Sequence, residues 1–272
     1  MSFQEHLDRV VQRSRNFYRA TTPGHFLVST KVPFDAIPEP PISSFDFDRQ
    51  IPEYMDISLA AARPKWAAKE GVDDDTVPAI CPYFGVAEHS AWLGLEVMLQ
   101  ETTSLPIPII RDSADISKLR LSEGSKWFRY MKQAYTHLAT RKDGSFLLSV
   151  RGTMAPMDMA NAVRGDELYT DVLLEPEFVH RLARFLVDAT EWYFRRLLTW
   201  ADTVEGGHFF IMGGGWLPAN TIGHLSNDAA MLCSPETYDQ FGLPYETELV
   251  KRFVTAIYHV HNEKMHYIPS LS

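Results

Sequence analysis

The sequence predicts an α/β protein built on a parallel sheet that is covered on both faces. Three observations lead there. Short apolar segments alternate with long amphipathic stretches along the chain. The strand-like runs are continuously apolar rather than alternating, as in Phe146-Leu147-Leu148-Ser149-Val150, which suits strands buried on both faces. The 272 residues are 45% hydrophobic and 12% aromatic with no low-complexity stretch, enough for a sizeable core. Right-handed crossovers close such a sheet into a barrel or leave it open and doubly wound. Periodicity does not choose between these. A dinucleotide-binding G-x-G-x-x-G turn is absent after the first strand, and Gly213-Gly214-Gly215 lacks the Lys-Ser/Thr of a phosphate loop.

Each element has its own signal. Residues 3–20 read as a helix, with Phe3, Leu7, Val10, Val11, Phe17 and Tyr18 mostly at helical spacing, ended by Thr21-Thr22-Pro23-Gly24. The β-branched run 26–32 reads as the first strand, and a proline-rich loop follows it. Residues 54–70 read as a helix that stops at Gly71, and Asp73-Asp74-Asp75 as a solvated turn rather than a cation site. Residues 77–85 form the second strand candidate, and 88–95 a helix. Helix 126–140 carries the stripe Trp127, Met131, Ala134, Tyr135 and Leu138, with Ser125 as its N-cap. Residues 145–150 form the third strand. The strongest helix runs from Pro176 to about Trp200, with Phe178, Leu182, Phe185, Leu186, Ala189, Tyr193 and Leu197 on one face. Residues 208–212 read as the fourth strand, Ser234-Pro235-Glu236 as a capped helix start, and 255–261 as the fifth strand.

Composition narrows the function classes. A net charge of −9 without a Lys/Arg cluster argues against nucleic acid and anionic membranes as partners. Two cysteines, Cys81 and Cys233, are too few for a disulfide framework and fit a reducing, cytoplasmic setting. Apolar runs fall short of the ~20 residues of a membrane helix, and the polar start lacks the apolar core of a secretory signal.

Several segments, taken in order, resemble the uroporphyrinogen decarboxylase superfamily, which includes cobamide-dependent methyltransferases. They are Val77 to Val97, Thr153 to Ala160 with Arg164-Gly165, the helix start Leu173-Leu174-Glu175-Pro176-Glu177-Phe178-Val179, and Asn227-Asp228 with Leu232 to Tyr238 and Phe241 to Tyr245. The resemblance implies a TIM (β/α)8-type barrel. It implies an N-terminal helix over 1–24 and a barrel domain over 25–272. About five βα units are present by residue 261, so strands six to eight are expected to be missing. The resulting open sheet edge favours poor solubility or a homo-oligomer.

True decarboxylases of this superfamily grip several propionates with arginines after the first strand. They also use an aspartate after the second strand and a tyrosine after the third. Here those places read Ser29-Thr30-Lys31, then Tyr83 with no aspartate from Cys81 to Val86, then Asn161-Ala162. A polycarboxylate needs a basic grip, so tetrapyrrole decarboxylation is not expected. The methyltransferase branch holds zinc with an H-x-C at the end of strand five and a later cysteine. Zinc takes the acceptor thiol as thiolate, which attacks a methyl group on a corrinoid held by a partner protein. The matching place reads His259-Val260-His261, and residues i and i+2 of a strand point the same way. The resemblance thus implies zinc on His259 and His261, with a third ligand in the missing part or at Glu263 or His266. Imidazole in place of thiolate gives a harder Lewis acid, better suited to water. The bland alternative is one packed histidine and one bonded to a backbone carbonyl.

Asp228 is the candidate catalytic base or substrate-orienting acid. Asn-Asp is also ordinary turn chemistry. His224 and Trp216 lie in the same loop after the fourth strand and are expected to line the pocket with Tyr83 and Asn161. Arg151, one residue past the third strand, is expected to contact an anion or an ion pair at the barrel end. His89 and His208 are read as structural. Three functions follow: a zinc- and corrinoid-dependent methyltransferase-like enzyme acting on a small molecule, a metal-free decarboxylase of a smaller carboxylic acid, or a non-catalytic binding or assembly barrel.

Overall fold

The computed structural model describes residues 2–211, 215–259 and 268–271. In chain order the helices are α1 (Phe3–Arg19), α2 (Ile51–Ala68), α3 (Lys126–Thr140), α4 (Pro156–Arg164), α5 (Leu168–Leu174), α6 (Pro176–Trp200), α7 (Pro235–Phe241) and α8 (Leu243–Val250). The strands are β1 (Ala79–Ile80), β2 (Glu96–Leu99), β3 (Ser104–Ile107), β4 (Leu147–Leu148), β5 (Thr153–Met154), β6 (Thr203–Val204), β7 (Gly207–Phe209), β8 (Trp216–Leu217), β9 (Thr221–Ser226) and β10 (Thr255–His259). The fold is mixed α/β. Its sheets have two or three short strands, and none closes on itself among the described residues. No described helix is long and apolar enough to cross a membrane.

The chain divides into two compact units. The first comprises Met1–Pro82, Tyr130–Arg151 and Leu197–Asn220. Its opening helix α1 starts with a reciprocal capping box between Ser2 and Glu5, which satisfies two otherwise orphaned N–H groups. The face of Leu7, Val10 and Val11 then packs on Leu147, Phe209 and Trp216. Strands β1 and β4 pair in parallel, and a parallel bridge joins Val150 to Phe210.

The expected fourth strand takes a different role over most of its length, because β7 pairs antiparallel with both β6 and β8. The cause is local. Glu205 and Gly206 both have positive φ (51° and 80°), the geometry of a two-residue hairpin turn that matches strand twist. Gly207 lies so close to Trp216 that a Cβ would sit 2.4 Å from the indole.

The expected first strand, 26–32, has no ladder among the described residues. Its amides bond to side chains instead. Val28 N–H donates to Asp75 (2.7 Å) and Thr30 N–H to Asp74 (2.8 Å), while Asp75 N–H donates to the Val28 carbonyl. The acidic triplet is therefore a clamp rather than a solvated turn, with Asp74 1% and Asp75 6% exposed. Lys69 pairs with Asp74, and Arg13 reaches both Asp73 and Asp75.

The second unit comprises Tyr83–Arg129, Gly152–Arg196 and Thr221–Ser272. Its three-stranded sheet is all parallel in the order β10-β9-β5, with Met154 and His259 both level with Ser226, and β2 and β3 form a separate antiparallel pair. A bulge interrupts the β9–β10 register at Ile257/Tyr258. The helix expected over 88–95 is instead two 3₁₀ turns, Val86–His89 and Ala91–Leu93. Gly85 and Gly94, at φ 90° and 102°, break the chain on either side and leave too few residues for a nucleated α-helix. Burial holds the short turns in place: Trp92 is fully buried and stacks on Tyr193 of α6 with ring centroids 4.5 Å apart.

Candidate functional site

In parallel sheets, side chains at the carboxyl ends of the strands are free to converge on a ligand. The second unit places a polar cluster at that end of β5, β9 and β10. Chain order explains it. Strand β5 runs into α4 through Ala155, and Pro156 starts the helix with a pre-set φ and no orphaned N–H. Asp158 consequently falls in the first turn of α4. Its carboxylate accepts from the Ser226 hydroxyl and the Ala229 N–H, both at 2.6 Å. Burial pushes this carboxyl up to about 6, against the pull of those hydrogen bonds and one from the Asp228 amide, and the nearby Asp228 charge adds to the rise.

A second buried acid lies beside it. Glu246, in the first turn of α8, accepts from Asn227 Nδ2 and from the Tyr238 hydroxyl, each at 2.7 Å. Burial raises its carboxyl to about 7, and the Asp158 charge contributes to that rise, while Tyr238, Asn227 and Tyr258 oppose it by hydrogen bonding. These donors are neutral, so the fixed charge is solvated by dipoles alone.

His224 and His259 form the third part, with ring centroids 4.4 Å apart and planes at 36°. His224 shares a strand face with Ser226, and Ser226 is the register partner of His259. The close seat of His224 depends on Gly152. That residue has φ +121°, and a Cβ there would meet the His224 Cβ at 2.6 Å and its backbone nitrogen at 2.7 Å. Asp158, Ser226, His224 and His259 thus combine a hydroxyl, an acid that titrates near neutrality and two imidazoles, a set able to move a proton.

The residues singled out from the sequence fall in different places. His224, His259 and Asp228 share this end of the β5–β9–β10 unit, and Asp228 is exposed at the start of a 3₁₀ turn, with its backbone amide turned to Asp158. His261 lies outside the described residues, as do Glu263 and His266. Asn161 donates to the Gly165 carbonyl at the far end of α4. Tyr83 donates to the Thr102 carbonyl at 3.1 Å. Arg151 and Trp216 belong to the other unit, where Trp216 is a core residue whose indole N–H donates to the Val204 carbonyl (2.8 Å). Asp158 and Glu246 were not singled out. Asp158 reads as an ordinary first-turn acid, and the signal for Glu246 is only a lone acid beside Tyr245 in an otherwise apolar helix start.

Zinc requires about four donors, three of them from the protein in a catalytic site. Among the described residues, no three His, Cys, Asp or Glu side chains gather in that way. Burial also pushes the Cys233 thiol up to about 11, away from the thiolate form a metal would take. The described donors therefore do not complete a zinc site. A cavity of about 1020 Å³ is lined wholly by residues of the first unit, none of them the singled-out ones.

No protein-family model matches the chain, and no curated protein matches it. Among solved structures, a methyltransferase from Methanosarcina mazei superposes with a TM-score of 0.54 at 11% identity, over 90% of this chain and 69% of that one. At that identity the likeness is one of fold alone, and the chain has a mixed α/β fold.

Proposed function

We propose that this chain is a methyltransferase-like enzyme that moves a methyl group from a corrinoid, carried by a partner protein, to a small thiol or related acceptor. The observation that carries the reading is the cluster of Ser226, Asp158, His224 and His259 at the carboxyl end of β5, β9 and β10. The fold likeness to a methyltransferase supports it, and the superfamily resemblance and barrel architecture belong to the same proposal. The task left to the protein is deprotonation of the acceptor. The S–H bond breaks, and the His259 imidazole takes the proton. The sulfur pair then forms the new S–C bond, while the donor keeps the pair of the bond that breaks. Ser226 links the site to Asp158, which stores or returns a proton near neutral pH. In the zinc-bound form of the proposal, His259 and His261 would instead hold the metal, which would supply thiolate formation in place of the His259 base, and no step above depends on it.

The test is methylcobalamin with a panel of small thiols, read by mass spectrometry of the methyl thioether. His259→Ala should slow transfer about a hundredfold, the usual scale for loss of a positioned base. Absence of thioether from wild type, or an unchanged rate in the variant, rejects the reading. Zinc per chain in wild type and in a His259→Ala/His261→Ala variant tests the metal separately.

One observation favours a second reading. An acid at about 6 is suited to protonating the carbanion left by loss of carbon dioxide, as a metal-free decarboxylase of a small carboxylic acid requires. Carbon dioxide release without methyl transfer would select it. Failure of both reactions would leave a binding or assembly role.

A further inference from the structure

We infer that the first unit carries a separate binding site for an amphipathic organic monoanion, with a flat apolar body and one carboxylate, in the cavity beneath the 29–34 segment. The volume of about 1020 Å³ is at the upper end for small-molecule sites. The 29–34 segment that lines one side of the cavity is tied down. Asp75 and Asp74 fix the backbone at Val28 and Thr30, and Lys69 and Arg13 neutralise those carboxylates. That side of the cavity is thereby preorganised, which lowers the ordering cost of binding.

The lining states the ligand class. Its apolar part includes Phe3, Phe34, Trp66, Val77 and Ile211. Trp66 is itself braced against Phe146, with centroids 5.4 Å apart and planes at 20°. Phe34 is left 41% and Ile211 37% exposed, surface that a bound apolar body would cover.

The charges are unequal. Lys31, Lys65 and Lys69 face only Asp74 and Glu70 as acids in the lining, in a chain whose net charge is −9. Lys69 is committed to Asp74 and Thr76. Lys31 and Lys65 have no ion-pair partner among the described residues, so two ammonium groups are available against the one uncommitted acid, Glu70. That balance fits a single carboxylate and not a polyanion.

The probe is 1-pyrenebutyrate, titrated into the full chain and read by pyrene fluorescence. The control is 1-pyrenebutanol, which has the same body without the charge. Saturable one-to-one binding is expected, weakened about tenfold in a Lys31→Glu/Lys65→Glu variant, the loss of about one charge-assisted contact. The alcohol should bind about tenfold more weakly, and Phe34→Ala should weaken both probes. His259→Ala should leave binding unchanged, which separates this site from the proposed reaction. Non-saturable binding, equal affinity for acid and alcohol, or an unaltered affinity in the folded lysine variant would overturn the inference.

Discussion

Both units bury acids, and Asp74 of the first is treated in the opposite way from Asp158 and Glu246 of the second. In the first unit, burial raises the Asp74 carboxyl, but Lys69 and the donors at Thr30 and Thr76 outweigh it and hold it below the ordinary range. In the second unit, the donors to Asp158 and Glu246 among the described residues are hydroxyls, an amide and backbone N–H groups, so burial wins and they stand at about 6 and 7. A buried carboxylate with a cation is a structural rivet that keeps its charge. A buried carboxylate among neutral dipoles keeps its proton close to working pH. That difference is why the second cluster is the better candidate for chemistry.

The comparison breaks most sharply at Asp74. Asp74→Ala removes one partner of a buried ion pair and should cost about 3 kcal/mol, read from the urea midpoint. A loss near zero would show that the 26–32 run needs no clamp. Next comes Gly152→Ala, which forces a side chain into a φ +121° position against His224. It should destabilise by about 2 kcal/mol and slow any reaction that uses His224. Wild-type stability and rate would show that the histidine is not seated against that backbone.

The smallest effect is the pH dependence. Asp158 and Glu246 have folded values above their unfolded ones, so the native state holds protons that the unfolded chain releases. Their contribution to stability is therefore greatest below pH ~4 and is lost as pH rises through about 6 and 7. Asp74 acts in the other direction, since its stabilisation is present above pH ~4 and is lost as pH falls below that. Urea melts at pH 5 and pH 8 isolate the first group. Glu246→Gln can still accept from Asn227 and donate to Tyr238, so it should flatten the decline and be about 1 kcal/mol more stable than wild type at pH 8. A steeper decline in the variant would contradict the assignment.

The long helices were legible because periodicity and caps are local. The readings 3–20, 126–140 and 176–200 correspond to α1, α3 and α6 within a residue. The run 26–32 was misread because its apolar, β-branched character says extended but does not say what its amides bond to. The partner is an acidic triplet over 40 residues away, which in turn is held by Arg13. Glycines at 85 and 94 cancelled a helix that composition favoured. For the candidate site, His259 could be placed from order alone because it lies at the end of an expected strand, whereas His224 reads as a loop residue and lies instead on β9, a strand whose apolar signal is weak. Asp158 and Glu246 could not, because a carboxylate's burial is a property of the tertiary fold. Trp216 looked like a pocket residue by chain position, yet it packs on α1.

The central claim is that chemistry belongs to the cluster at the end of β5, β9 and β10. The most direct measurement is the methyl-transfer rate from methylcobalamin to a small thiol in wild type, Ser226→Ala, His259→Ala and Lys31→Glu/Lys65→Glu chains. The account predicts that transfer falls in the first two variants and stays at the wild-type rate in the lysine variant. Transfer lost in the lysine variant and unchanged in the other two would contradict it.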